Sequence, residues 1–123
     1  MPSLVEHIQK SRHNEQLAQE LATKTRYYDW AVTVLFYAGL HYVDAVLSVS
    51  RVDPLSHEQR HSAMAVNDTL RQVFVQYRML ETMSRNARYF ALPITRDDWE
   101  RVRSCFDILR SHVLSRLRLS AAQ

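Results

Sequence analysis

Glycine is nearly missing from this chain of 123 residues. One Gly and three Pro (Pro2, Pro54, Pro93) leave little material for hairpin turns and argue against β-rich architectures. The single Cys105 excludes an internal disulfide framework and points to a reducing compartment; it reads as a small buried hydrophobe flanking an apolar stripe. Lysine is scarce too, with only Lys10 and Lys24 beside fourteen Arg. Several catalytic signatures are lacking. There is no glycine-rich phosphate loop, no Cys pair, no Ser in a strained strand-to-helix turn and no helical motif with paired carboxylates. A conventional nucleotide-binding or hydrolase fold is therefore unsupported, and no motif asks for a cofactor. Repeats, low-complexity tracts and interdomain linkers are absent. Residues 1–123 read as a single helical-bundle domain, of a size that buries roughly two thirds of its unfolded surface.

The stretch Ser3-Leu4-Val5-Glu6-His7 puts an acid and a His where a secretory signal needs a basic flank and an apolar run, so a cytoplasmic location is expected. Trp30–Leu47 approaches membrane-spanning length, but it holds His41 and Asp44 and the rest of the chain is amphipathic. It reads as a buried helix of a soluble protein with no membrane partner.

What the chain does have is an almost wholly apolar segment, Tyr27–Val49, carrying one thin polar line. Asp29, Thr33, Tyr37, His41, Asp44 and Ser48 step by three or four residues, which at about 100° per residue keeps them on one strip of a helix. Trp30, Val32, Leu35, Phe36, Leu40, Val43, Val46 and Leu47 cover the remaining sides. A helix apolar on most sides belongs at the centre of a bundle. Ser3 with Glu6 forms a capping box that opens a preceding helix to about Ala22, whose polar middle, Gln9–Gln16, is expected to be exposed or frayed. Thr25 is placed to cap the central helix.

Arg51–Leu55 reads as a loop, because Pro54 lacks an N–H and biases Asp53 out of the helical region. Ser56 with Gln59 starts a short helix to about Val66. After a brief interruption at Asn67-Asp68, the stripe Leu70, Val73, Tyr77, Leu80, Met83, Ala87, Phe90 predicts one long helix. Ala91–Thr95 breaks the chain, Thr95 with Asp98 caps a last helix with the seam Trp99, Val102, Phe106, Leu109, Val113, Leu117, and the tail Ser120–Gln123 is expected to fray. The fold class is all-α, an up-and-down bundle of four long helices plus one short one, with short connections making neighbours antiparallel.

The formal net charge is +3, with residues 1–50 at −1 and the positive excess in the C-terminal half, which permits an anionic partner. Arg71, Arg78 and Arg85, and again Arg96, Arg103 and Arg110, recur every seven residues, but Glu81, Glu100 and Asp107 are threaded among them. The rows therefore read as ion-pair ladders on a solvated face. His57 and His61 stand four apart on the short helix, with His41 able to approach; two His at that spacing can ligate a metal given a third ligand such as His41 or Asp44, although no full metalloenzyme signature accompanies them. Arg51 and, six residues on, His57 offer a different chemistry. A guanidinium fork suits a phosphodiester, and a near-neutral imidazole can move the proton of a ribose hydroxyl.

Taken together, Tyr28-Asp29-Trp30-Ala31, Phe36-Tyr37-Ala38-Gly39-Leu40-His41-Tyr42-Val43-Asp44-Ala45, Ser56-His57-Glu58-Gln59-Arg60, Tyr77 with Leu80, and Ser84-Arg85 with Arg88-Tyr89 resemble the higher eukaryotes and prokaryotes nucleotide-binding (HEPN) superfamily over about residues 26–90. The resemblance implies a small helical bundle, commonly a homodimer, found in toxin–antitoxin, phage-defence and mobile-element proteins. It also implies that RNA-cutting members carry an Arg, four to six residues, then a His, and act without metal in a cleft shared between subunits. Arg51 and His57 fit that spacing, with Val52 standing where active members usually have a polar residue.

Two functions follow as expectations. One is a dimeric binding module for an anionic ligand (nucleic acid or nucleotide) or a partner protein, with Tyr37, His41, Asp44, Arg60, His61 and Arg88 lining the site. The other is a metal-independent endoribonuclease in which Arg51 holds phosphate and His57 moves the proton.

Overall fold

An apolar run such as Tyr28–Val49 satisfies its backbone as a helix, but it buries its sides only when other helices surround it. In the computed structural model of the protein, which describes residues 2–90 and 93–118, it is one unbroken helix with neighbours on three sides. The described residues form α1 (Leu4–Lys24), α2 (Tyr28–Val49), α3 (His57–Ala65), α4 (Asp68–Arg71), α5 (Phe74–Tyr89) and α6 (Arg96–Arg116), without a strand. Part of the expected breaking segment, Ala91 and Leu92, and the whole expected tail Ser120–Gln123 lie outside the described residues.

The central helix α2 packs against α1, α5 and α6, and α5 packs against α6. His7 meets His41 while Ser11 meets Ala38, so numbering falls on α2 as it rises on α1 and the two are antiparallel. Tyr37 with Arg88 and Gly39 against Leu80 give the same relation to α5. A Cβ at Gly39 would stand 2.9 Å from Leu80 Cδ1, so the one glycine leaves the space on α2 into which the Leu80 side chain of α5 packs. The core is built from Leu35, Phe36, Tyr42 and Leu47 of α2, Tyr77 and Leu80 of α5, Phe106 and Leu109 of α6, and Met64 of α3. Each fully buried side chain contributes about 1.5–3 kcal/mol. By length and composition α2 is long and apolar enough to cross a membrane, yet 72% of its most apolar window is buried inside this bundle.

Local signals set most boundaries. Ser3 Oγ accepts from the Glu6 N–H at 3.2 Å and Glu6 Oε1 from the Ser3 N–H at 3.0 Å; Thr95 and Asp98 repeat the reciprocal box at the start of α6. At α3 only half a box forms, because Ser56 Oγ accepts from the Gln59 N–H while the Gln59 carboxamide turns to the Leu55 N–H.

Four expectations are corrected. Thr25 closes α1 instead of opening α2: its N–H and hydroxyl both donate to the Leu21 carbonyl. The single helix expected from Leu70 to Phe90 is split, since Asn67 caps the short α4 and Val73 leaves helical geometry at φ −120°, ψ 17° with its side chain still buried. The bundle therefore has two short helices. The polar middle of α1 is helical and in part enclosed, with Ser11 fully buried and its hydroxyl donating to the Ala38 carbonyl at 2.9 Å. Trp30, expected in the core, is 56% exposed.

Candidate functional site

The polar strip of α2 does not face one cleft. Its members meet three different helices, so each polar group finds a partner where the apolar wall is interrupted. His41 Nδ1 lies 3.1 Å from His7 Nδ1 on α1, with the rings tilted against each other. Burial, followed by the neighbouring His7, holds the His41 imidazole below its ordinary value. Asp44 accepts two hydrogen bonds from Arg60 of α3, at 2.8 Å from Nε and 3.0 Å from Nη2, both partners being nearly enclosed. Tyr37 accepts from Arg88 Nη1 of α5 at 2.8 Å. Thr33 and Ser48 satisfy their hydroxyls on carbonyls of their own helix.

The Asp44–Arg60 fork seats α3 across α2 and α5, and that places the two histidines of α3 over Glu81. This carboxylate is 4% exposed and accepts from His61 Nε2 at 2.9 Å; Arg78 pairs with it from one helical turn away, and His57 Nδ1 stands 3.6 Å off. His57 also packs its ring near Phe36, while His61 sets its edge against Phe74 and Tyr77. Partial burial depresses the His57 imidazole against the opposing pull of Glu81, and the nearby guanidinium charges of Arg60 and Arg88 act in the same direction as burial. A half-exposed His57 of this kind is neutral near pH 7 and can accept a proton or a hydrogen bond. Beneath the cluster, Tyr77 and Ser84 are fully buried, with their hydroxyls unpartnered among the described residues. Burial pushes the Tyr77 phenol far up.

Arg51 is absent from this cluster. It occupies the left-handed position that ends α2, at φ 59°, with its N–H donating to the Ser48 carbonyl at 3.1 Å and the Val52 N–H to the Leu47 carbonyl at 3.0 Å. This double bond pattern is the glycine-favouring helix stop. The Arg51 side chain is exposed and makes no hydrogen bond or ion pair among the described residues. Arg60 and His61 are brought together with Asp44 and Glu81, and His41 is turned away to α1. The three-histidine metal reading is thereby overturned. Among the described residues no three His, Cys, Asp or Glu side chains are arranged to hold an ion.

On the far side of Tyr37, Arg88 lies with its guanidinium 5.3 Å from the Tyr89 ring centre and 6.0 Å from that of Tyr37. It also borders a hollow of about 140 Å³ with Asp29, Trp30, Thr33 and Ala87. No carboxylate pairs with Arg88 among the described residues. Glu81, expected as a rung of a solvated ladder, is buried; the sequence signal for this is its place four residues beyond Tyr77, on the same side of the helix as the apolar stripe. Compared with family models, curated proteins and solved structures, the chain matches none.

Proposed function

We propose that this chain is a HEPN-like, self-associating binding module of the cytoplasm that recognises an anionic ligand, RNA or nucleotide, through the face made by α2, α3 and α5. The observation carrying this reading is Arg88. Arg60 and Arg78 are neutralised by Asp44 and Glu81, whereas Arg88 keeps an unbalanced charge beside the exposed Tyr89 and the half-exposed His57. A guanidinium flanked by aromatic rings is suited to a phosphate with a stacked base. Defence, toxin–antitoxin or mobile-element contexts fit such a module.

The endoribonuclease reading retains one supporting observation, the depressed and half-exposed imidazole of His57. Against it stands the separation of Arg51 from the cluster. Fluorescence anisotropy with a short single-stranded RNA, run with chelator present, tests both readings. The wild type is expected to bind without cutting, and Arg88→Ala to weaken binding and flatten its salt dependence. Cutting by the wild type that is lost in both Arg51→Ala and His57→Ala would replace the binding reading with the enzymatic one, and RNA that is neither bound nor cut would remove RNA as the ligand. Light scattering at micromolar concentration checks self-association.

A further inference from the structure

A second concavity lies away from α3, where the end of α1 and the turn into α2 meet the first half of α6. It has a volume of about 500 Å³, within the usual range for small-molecule sites of roughly 300–1,000 Å³. Its rim carries Lys24, Arg26, Arg96 and Arg103 against one acid, Glu100, and the largely buried Trp99 forms part of its wall. Lys24, Arg26 and Arg96 are exposed and make no hydrogen bond or ion pair among the described residues, and Arg103 reaches Glu100 only at 3.9 Å.

A solvated face does not account for this arrangement. Lys24 suits the C-terminal end of α1, but Arg96 is the first residue of α6, the end at which the helix dipole disfavours a cation. Asp98 in that turn is already held by Thr95 and Arg101. Arg103 Nε is shielded from water and has no acceptor, a donor whose guanidinium gains a partner by turning toward a bound anion. Four cations crowded around one hollow repel one another, and a multiply charged anion relieves that repulsion at several points at once.

We propose that this groove binds a diphosphate group. Three guanidinium forks favour phosphate oxygens, which accept in pairs, over a point-like anion. The volume exceeds what one orthophosphate fills and accommodates a molecule bearing two linked phosphates. The group arrives either as free pyrophosphate or as the diphosphate end of a nucleotide. The site shares no residue with the α2–α3–α5 face, so the failure of either reading leaves the other standing.

Titration calorimetry of the full chain with inorganic pyrophosphate, orthophosphate, ADP and adenosine tests the assignment. Pyrophosphate is expected to bind more tightly than orthophosphate, and Arg96→Ala and Arg103→Ala are each expected to weaken it about tenfold or more. Arg116→Ala removes the same charge from the far end of the same helix, outside the groove, and leaves binding unchanged. ADP binding at least about tenfold more tightly than pyrophosphate identifies a nucleotide source, whereas near-equal affinity identifies the free anion; either result with the stated variant pattern supports the site. Absence of pyrophosphate binding at millimolar concentration, or equal weakening by Arg116→Ala and the groove variants in proteins of unchanged helicity, overturns it.

Discussion

Asp44→Asn keeps the shape of the side chain and removes only its charge, which makes it a sensitive probe of how α3 is held. In the wild type the carboxylate accepts from Arg60 Nε and Nη2 at 2.8 and 3.0 Å, and the two side chains are 10% and 9% exposed. Asparagine leaves one acceptor and turns an amide donor toward a guanidinium that has only donors, so a charge stays inside the protein without compensation. Breaking an enclosed pair in this way costs about 3–5 kcal/mol, a large part of a total stability of about 5–15 kcal/mol. For a chain of this length the melting temperature should fall by on the order of 10–20 °C. Urea unfolding followed by far-UV circular dichroism gives the free energy directly. The double variant Asp44→Leu with Arg60→Met removes both charges together and should recover most of the loss, since apolar groups of similar volume replace buried pairs at little cost. A single-variant loss below about 1 kcal/mol is what a solvated pair would give. That result, or a double variant no better than the single, would refute the claim that this fork holds α3 in place.

Arg51→Gly is expected to raise stability by about 1 kcal/mol, because residue 51 sits at φ 59° and glycine adopts that geometry without the Cβ penalty; a lower unfolding midpoint would mean that the Arg51 side chain contributes contacts of its own. The His41 imidazole is held below its ordinary value of 6.5, so the folded state binds fewer protons than the unfolded chain. Its contribution is complete above pH 6.5 and is lost as pH falls from there toward the folded value. His57 is shifted in the same direction. Glu15, raised chiefly by burial, opposes them at lower pH, so the comparison belongs between pH 7.5 and about 5.5. The urea midpoint should fall across that window in the wild type and fall less in His41→Gln; identical slopes in the two proteins would show that the His7–His41 contact does not couple to folding.

Some features depended only on neighbours along the chain, and these were legible before any fold was known. A capping box closes within four residues, so Ser3 with Glu6 and Thr95 with Asp98 marked the starts of α1 and α6. The 3.6-residue period carried the seam Trp99, Val102, Phe106, Leu109 and Val113 and the central position of α2, because one side of a helix is a property of spacing. The choice of which polar residues would be enclosed was made elsewhere. Ser11 is enclosed because α2 covers it and Glu81 because the histidines of α3 lie over it, while Trp30 looks like core and is exposed, bordering only a shallow hollow with Ala87 and Arg88 of α5. Arg51 and His57 are six residues apart, yet the left-handed stop at Arg51 leaves its side chain out of the cluster that gathers His57, His61 and Glu81 from two helices. The basic groove draws on Lys24 and Arg96, more than seventy positions apart. Periodicity and caps are local free energies written into consecutive residues, whereas a site depends on which helix faces meet, and packing across long sequence separations decides that.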